Sequence, residues 1–184
     1  MAIAADTKAW TWVLERPCDQ CGLDTRTVDP TTVAALIREC ATQWCTALAG
    51  DDVVIRSHED RWSTLEYGCH VRDVFVIFDE RLRRMLCEDD PTFANWDQDA
   101  TAVAERYADQ DPAAVSAALR RAADRLADDL DDCATSQWSR PGGRSDGARF
   151  DVATLSRYLL HDPVHHLVDV GVAPRALGRP ITST

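Results

Sequence analysis

The chain has 184 residues, with 31 acidic against 20 basic side chains and a formal net charge of −11 at pH 7. This length fits one domain that buries its own core, and the negative charge disfavours nucleic acid and anionic membranes as partners. The opening residues lack the basic start and apolar run of a secretory signal, and no segment reaches membrane-spanning length. We therefore expect one domain, residues 1–184, in the cytoplasm.

The first two predicted helices have clear start and stop signals. Asp29 can cap a helix whose apolar residues recur at threes and fours as far as Gly50, which favours a C-terminal stop. Ser63 and Glu66 form the spacing of a capping box, and the apolar pattern that follows ends near Cys87. Two long amphipathic helices are predicted here.

The second half of the chain predicts two more long helices. An acidic connection at 88–100 leads to a short helical turn within ATAVAERYA, and Asp111, followed by proline, opens the third long helix. The segment SRPGGRSDG at 139–147 breaks the chain. A fourth helix begins near Asp151 or Val152.

Four amphipathic helices in one domain of this size predict an all-α helical bundle. Its core should span about residues 29–171, with an N-terminal extension at 1–28 and a loosely ordered tail at 172–184. Residues 52–57 are compatible with a strand or a loop, and no other segment alternates convincingly.

Three of the five histidines fall within six positions of YLLHDPVHHLVDV, at the C-terminal end of the fourth helix. His161 and His165, four residues apart, would lie on one side of a helix. His70 lies toward the packed face of the second helix. Each feature alone also fits an ordinary core or surface histidine, but together they can supply three nitrogens to one ion between facing helices.

These histidines, with Trp62 shortly before His70, resemble the motifs of the DinB/YfiT-like bundles in order and spacing. The resemblance implies a four-helix bundle with an up-down-down-up course. It also implies a divalent metal ion, zinc before nickel, held by His70, His161 and His165.

What the resemblance implies about activity is a metal-dependent transferase that joins a low-molecular-weight thiol to an electrophilic small molecule. The arginine- and alanine-rich, lysine-poor composition suggests a GC-rich genome. In an actinobacterial host the thiol would be mycothiol. The alternatives are a metal-dependent hydrolase that uses water, and a non-catalytic metal-binding bundle that acts within a homodimer or a stress-response partnership.

Pro163 lies between the two histidines of the motif, where it removes a helical hydrogen bond and can kink the helix or let it restart with Asp162 as cap. On a straight helix His166 would lie nearer the apolar stripe than His161, so His166 is the substitute ligand. Carboxylates one turn away can orient the imidazoles or pair with arginine instead. They are Glu66, Asp73, Asp162 and Asp169.

Cys18 and Cys21 have the spacing of half a zinc ribbon or of a redox pair. No second CxxC completes four thiolates, and nothing in the sequence links the pair to Cys40, Cys45 or His58. The alternative is a tight turn of reduced thiols. Most of the seven cysteines lie in apolar patterns, which argues against a disulfide framework. In the 139–147 segment, Arg140 and Arg144 could contact an anionic substrate.

Overall fold

A computed structural model describes residues 10–175, which form five α-helices and three short strands. The helices are α1 (Val33–Leu48), α2 (Thr64–Cys87), α3 (Gln98–Ala104), α4 (Pro112–Asp131) and α5 (Val152–Asp169). The long helix α4 packs against both α1 and α2, and α5 packs against the same two helices. The predicted four-helix bundle is confirmed, with α1 and α2 on a diagonal. None of the described helices combines the length and hydropathy needed to cross a membrane.

The predicted caps begin the helices. The Ser63 hydroxyl accepts a hydrogen bond from the Glu66 N–H, while the Glu66 carboxylate accepts one from the Ser63 N–H. Asp111 caps α4 and Asp151 caps α5 in the same way, by accepting backbone N–H groups that have no helical partner. Asp29 caps a single 3₁₀ turn that leads directly into α1.

The structure contains three short strands in segments where the sequence showed no convincing alternation. Strand β1 (Thr92–Phe93) pairs in parallel with β2 (Pro141–Arg144), which pairs antiparallel with β3 (Arg149–Asp151). These strands are too short to show an alternating pattern, and β2 contains two glycines. At Gly142 a Cβ atom would lie 2.7 Å from Cγ of Met85, so the sheet approaches α2 closely there. Residues 52–57 form turns and bends.

Helix α5 is continuous through Pro163, so of the two possibilities, a kink or a restart with Asp162 as cap, the restart does not occur. The Asp162 carboxylate contacts His70 on α2 instead of capping a new helix. The Pro163 carbonyl accepts a hydrogen bond of 3.0 Å from the Trp44 indole N–H. Both contacts tie this part of α5 to the bundle.

The N-terminal extension packs on α5 and shares the core. Its 3₁₀ turns Trp10–Leu14 and Thr25–Thr27 contact α5, and its side chains Val13 and Leu23 are fully or almost fully buried. At the other end, the Gln43 amide bonds the backbone of residues 173 and 175. The remainder of the predicted loose tail, 176–184, lies outside the described residues.

Candidate metal centres

Helix α5 presents two interleaved pairs of potential metal ligands, each with a spacing of four residues. His161 and His165 face Cys18 and Cys21 of the N-terminal extension, whereas Asp162 and His166 face His70 of α2. Within each group, the potential ligand atoms all lie within 4.8 Å of one another. Because adjacent residues on a helix are rotated by about 100°, two pairs offset by one residue point to neighbouring but different directions.

The first group consists of His70, Asp162 and His166. His70 Nε2 lies 3.1 Å from Asp162 Oδ1, and His166 Nε2 lies 3.8 Å from the same oxygen. Two ligands of a tetrahedral zinc ion, each about 2.0–2.1 Å from it, are about 3.3 Å apart. These three donors therefore fit around one divalent ion.

The orientation of His166 is set by a second carboxylate. His166 Nδ1 lies 2.7 Å from Asp169 Oδ2, which favours the tautomer that donates from Nδ1 and leaves the Nε2 lone pair toward Asp162. Burial acts to raise the pKa of Asp169, but the hydrogen bond from His166 lowers it below its ordinary value. Burial likewise acts to raise the pKa of Asp162, and the neighbouring His70 and His166 lower it well below the usual range. Both carboxyl groups are therefore anions.

Aromatic rings surround the imidazoles of this group. The His70 ring stacks on Trp96 with an interplanar angle of 5° and a centroid separation of 5.2 Å, and Trp62 lies 5.4 Å away on another side. The Tyr67 ring lies 4.8 Å from the His166 ring. His70 is fully buried, and its Nδ1 has no hydrogen-bond partner among residues 10–175. The rings hold the imidazoles in place and limit their contact with water.

The second group consists of Cys18, Cys21, His161 and His165, all of them buried. Cys18 Sγ lies 3.6 Å from His165 Nδ1. Burial, reinforced by His165, lowers the pKa of His161 to about 4, so its imidazole is neutral at pH 7. Burial also raises the pKa of Cys21 to about 12, with Cys18 contributing in the same direction. This is a closed set of two sulfur and two nitrogen donors.

The model of the DinB superfamily matches residues 35–169, which include all four long helices except the first two residues of α1. The chain belongs to the DinB superfamily. No curated protein matches it significantly in sequence.

Among solved structures, this DinB protein is similar to YfiT from Bacillus subtilis, described as a probable metal-dependent hydrolase with an unusual four-helix bundle topology. The match has a TM-score of 0.68 and covers 81% of this chain and 87% of YfiT, at 17% sequence identity. At that identity the similarity establishes the shared fold.

In this DinB protein the three histidines predicted from the resemblance do not form a single group. His70 contacts Asp162 and His166, and the HxxxH pair contacts the two cysteines. The signal that pointed to His166 was its position near the apolar stripe of α5. For the group with Cys18 and Cys21, the sequence signal that could have been used is the presence of a CxxC and an HxxxH motif in one chain. Together these motifs supply the four donors typical of a zinc site.

A cavity of about 500 Å³ opens beside the first group. Asp162 and His166 contribute to its wall, as do His161 and His165 of the second group. Two cationic side chains, Arg81 and Arg144, and Tyr158 also line it. Pockets that hold small ligands commonly have volumes of about 300–1,000 Å³. The superfamily bundle therefore places a candidate metal group next to space for a small molecule.

Arg81 is an almost fully buried cation in the cavity wall. It donates a hydrogen bond of 3.0 Å to the Ala94 carbonyl and lies over the rings of Phe78 and Phe93, and it makes no ion pair with a carboxylate of the described chain. Burial and the nearby Arg144 lower its pKa to about 10, so Arg81 remains charged at pH 7. An unbalanced buried cation of this kind favours an anionic group in the cavity.

The two arginines expected to meet an anionic substrate behave differently. Arg144 lines the cavity, where it pairs with Asp146 and donates to the Tyr158 hydroxyl at 3.2 Å. Arg140 instead donates to the carbonyl oxygens of Met85 and Glu88. It therefore anchors the chain before β2 to the end of α2.

Proposed function

We propose that this protein is a metal-dependent enzyme whose catalytic ion is held by His70, Asp162 and His166. The observation that carries the proposal is a set of only three clustered donors beside a cavity of about 500 Å³. His161 and His165 also line this cavity, but they belong to a set of four donors. Three protein ligands with an open position are typical of catalytic zinc sites, whereas structural sites are closed by four. A divalent ion in this place supplies Lewis acidity, which lowers the pKa of a coordinated thiol or water.

The protein's own side chains have separate tasks in this proposal. Asp162 contributes a negative charge to the site, and Asp169 keeps the Nε2 lone pair of His166 directed toward it. Arg81 binds an anionic group of the substrate within the same cavity, whereas Arg144 is already paired with Asp146. We therefore propose a small organic anion as the substrate class.

The reaction we propose is transfer of a low-molecular-weight thiol, mycothiol in an actinobacterial host, to an electrophilic small molecule. The cavity has room for a substrate beside the three donors. Hydrolysis is the second candidate, supported by the description of YfiT as a probable metal-dependent hydrolase. The two reactions differ in the nucleophile alone, so the same group of residues serves either.

Metal analysis of variants tests the site. We expect His70→Ala, Asp162→Ala and His166→Ala each to lose one equivalent of zinc relative to the untagged wild-type protein. His58→Ala is the matched control, because His58 is exposed in the connection between α1 and α2 and belongs to neither group. Full metal content in the three variants would contradict the proposed ligands.

The ligand set that the resemblance implies, His70, His161 and His165, is tested by the double variant His70→Ala/His161→Ala. If these residues share one ion, the double variant loses the same single equivalent as either single variant. If the groups are separate and both bind metal, it loses two equivalents. If only the first group binds metal, His161→Ala alone loses nothing.

Activity assays then distinguish the nucleophile. A transferase should consume an electrophilic bimane only when mycothiol or another small thiol is added, with a rate that saturates in the thiol. A hydrolase should cleave an anionic ester without any thiol. Activity that persists undiminished in His70→Ala would exclude a catalytic role for this group.

A further inference from the structure

We propose that Cys18, Cys21, His161 and His165 form a second, structural zinc site that fastens the N-terminal extension to α5. This site is separate from the proposed catalytic group and does not depend on any activity. All four side chains are buried, and one potential ligand atom from each lies within 4.8 Å of the other three. Sulfur and imidazole donors in a closed set of four are the ligands of structural zinc.

The backbone around the two cysteines is shaped to present both thiols on one side. The Gly22 N–H donates to the Cys18 carbonyl at 2.8 Å, and the Cys18 N–H donates to the Leu23 carbonyl at 2.9 Å. Gly22 has φ = +74°, a conformation that residues with a Cβ atom rarely adopt. The chain therefore reverses immediately after Cys21, as a CxxC half-site requires.

The two histidines complete the set from one face of α5. They lie one helical turn apart, with ring centroids separated by 5.0 Å, and His165 Nδ1 reaches Cys18 Sγ at 3.6 Å. His161 Nε2 is buried and has no hydrogen-bond partner in the described part of the chain. A buried polar atom of this kind normally has a partner, and a zinc ion among these four donors would provide one.

Packing alone does not explain why these four residues meet. The Trp10 ring contacts the rings of His161 and His165, at centroid distances of 5.5 and 5.2 Å, and so covers the pair from the outside. Two adjacent buried imidazoles are costly in purely apolar packing, because their ring nitrogens need polar partners. The choice of donors points to an ion.

Cobalt substitution tests the site with a spectroscopic readout. Cobalt bound to thiolates produces an intense sulfur-to-metal charge-transfer absorption that nitrogen and oxygen ligands do not give. We expect this band in the wild-type protein and in His70→Ala, because the first group contains no sulfur. We expect it to weaken or vanish in Cys18→Ser and in Cys21→Ser, and to vanish in the double variant Cys18→Ser/Cys21→Ser. It should remain in the control Cys87→Ser, since Cys87 is exposed.

Zinc stoichiometry separates this proposal from the proposed function. Loss of one equivalent in Cys18→Ser, with retention of the equivalent that depends on His70, supports the second site alone. Loss of an equivalent only in the His70, Asp162 and His166 variants would overturn the second site and leave the catalytic proposal intact. A cobalt protein without the charge-transfer band would also overturn it.

Two measurements keep the test valid if a cysteine variant fails to fold. X-ray absorption of zinc-loaded His70→Ala should show two sulfur atoms at about 2.3 Å and two nitrogen atoms at about 2.0–2.1 Å. A thiol count in denaturant, without reductant, should find all seven cysteines reduced. A count of five, with the disulfide mapped to Cys18 and Cys21, would identify a redox pair and refute the zinc site.

Discussion

Glu66 and Asp73 lie one turn from His70, yet neither carboxylate is hydrogen-bonded to that histidine. Glu66 accepts hydrogen bonds from Arg56 and from the backbone at the start of α2. Asp73 pairs with Arg72 and accepts the Tyr107 hydroxyl. The carboxylate that reaches His70 comes from another helix. Spacing along one helix therefore did not identify the partner of a buried imidazole.

Glu66→Gln should destabilise the protein at neutral pH, because Glu66 is buried and accepts hydrogen bonds from the Arg56 guanidinium and the Ser63 N–H. Charge-assisted hydrogen bonds of this kind contribute about 1–3 kcal/mol. Burial acts to raise the pKa of Glu66, but Arg56 and the backbone N–H of Ser63 lower it below 4.5. Ionised Glu66 therefore stabilises the fold above pH 4.5 and loses this effect as the pH falls through the lowered pKa.

Urea unfolding at pH 7, 5 and 4 measures this effect. The difference in free energy of unfolding between wild type and Glu66→Gln should be largest at pH 7 and should shrink toward acid pH. Glu59→Gln, at an exposed position in the connection between α1 and α2, is the control. Its free energy of unfolding should differ little from that of the wild type. A difference that is constant over this range would contradict the assigned role.

At the scale of helices, α2 approaches the end of α1 closely at Gly68. A Cβ atom at this position would lie 2.8 Å from Cδ2 and 3.3 Å from Cγ of Leu48, closer than carbon atoms pack. Leu48 is almost fully buried and has little freedom to move away. The absence of a side chain at Gly68 thus permits this crossing of the two helices.

Gly68→Ala should destabilise the bundle by about 1–3 kcal/mol through overpacking, despite the better helix propensity of alanine. In a Leu48→Ala background the same change should be neutral or stabilising by up to about 1 kcal/mol, because the obstructing methyl groups are gone. A double-mutant cycle of urea unfolding measures this coupling. Additive effects of the two substitutions would show that the contact is not the cause.

At the scale of the whole molecule, the N-terminal extension and α2 contact different sides of α5. Residues 10–28 approach His161 and His165, while α2 approaches Asp162 through His70. Ions in both groups would therefore cross-link α5 to two separate parts of the chain. The apolar core of the four helices does not depend on either ion.

Removal of zinc should consequently loosen the extension before the bundle. With a chelator present, we expect faster amide exchange and proteolysis within 10–28, while the helical circular dichroism of the bundle persists. Added zinc should restore protection and raise the melting temperature in a concentration-dependent manner. Cys87→Ser should respond like the wild type. Simultaneous loss of helical structure and extension protection would contradict this separation.

The sequence alone determined the bundle, because caps and apolar periodicity are local properties of a chain. Ser63, Asp111 and Asp151 begin helices in the structure as their spacing predicts. The short strands escaped prediction since β2 and β3 have only a few residues each and are held by pairing with one another. The continuity of α5 through Pro163, with Trp44 bonded to the Pro163 carbonyl and His70 to Asp162, likewise could not be predicted from the local sequence.

The sequence singled out His161, His165 and His166 as candidate donors on α5, with Asp162 as a carboxylate that could orient an imidazole. Only the tertiary structure decided which side chains they meet. The spacing 161–165 and the spacing 162–166 are the same, so both pairs are equally suited to one ion. Their assignment to Cys18 and Cys21 or to His70 depends on the rotation of α5 within the bundle and on where the extension docks. That rotation is set by the packing of the whole core and cannot be predicted from a local sequence pattern.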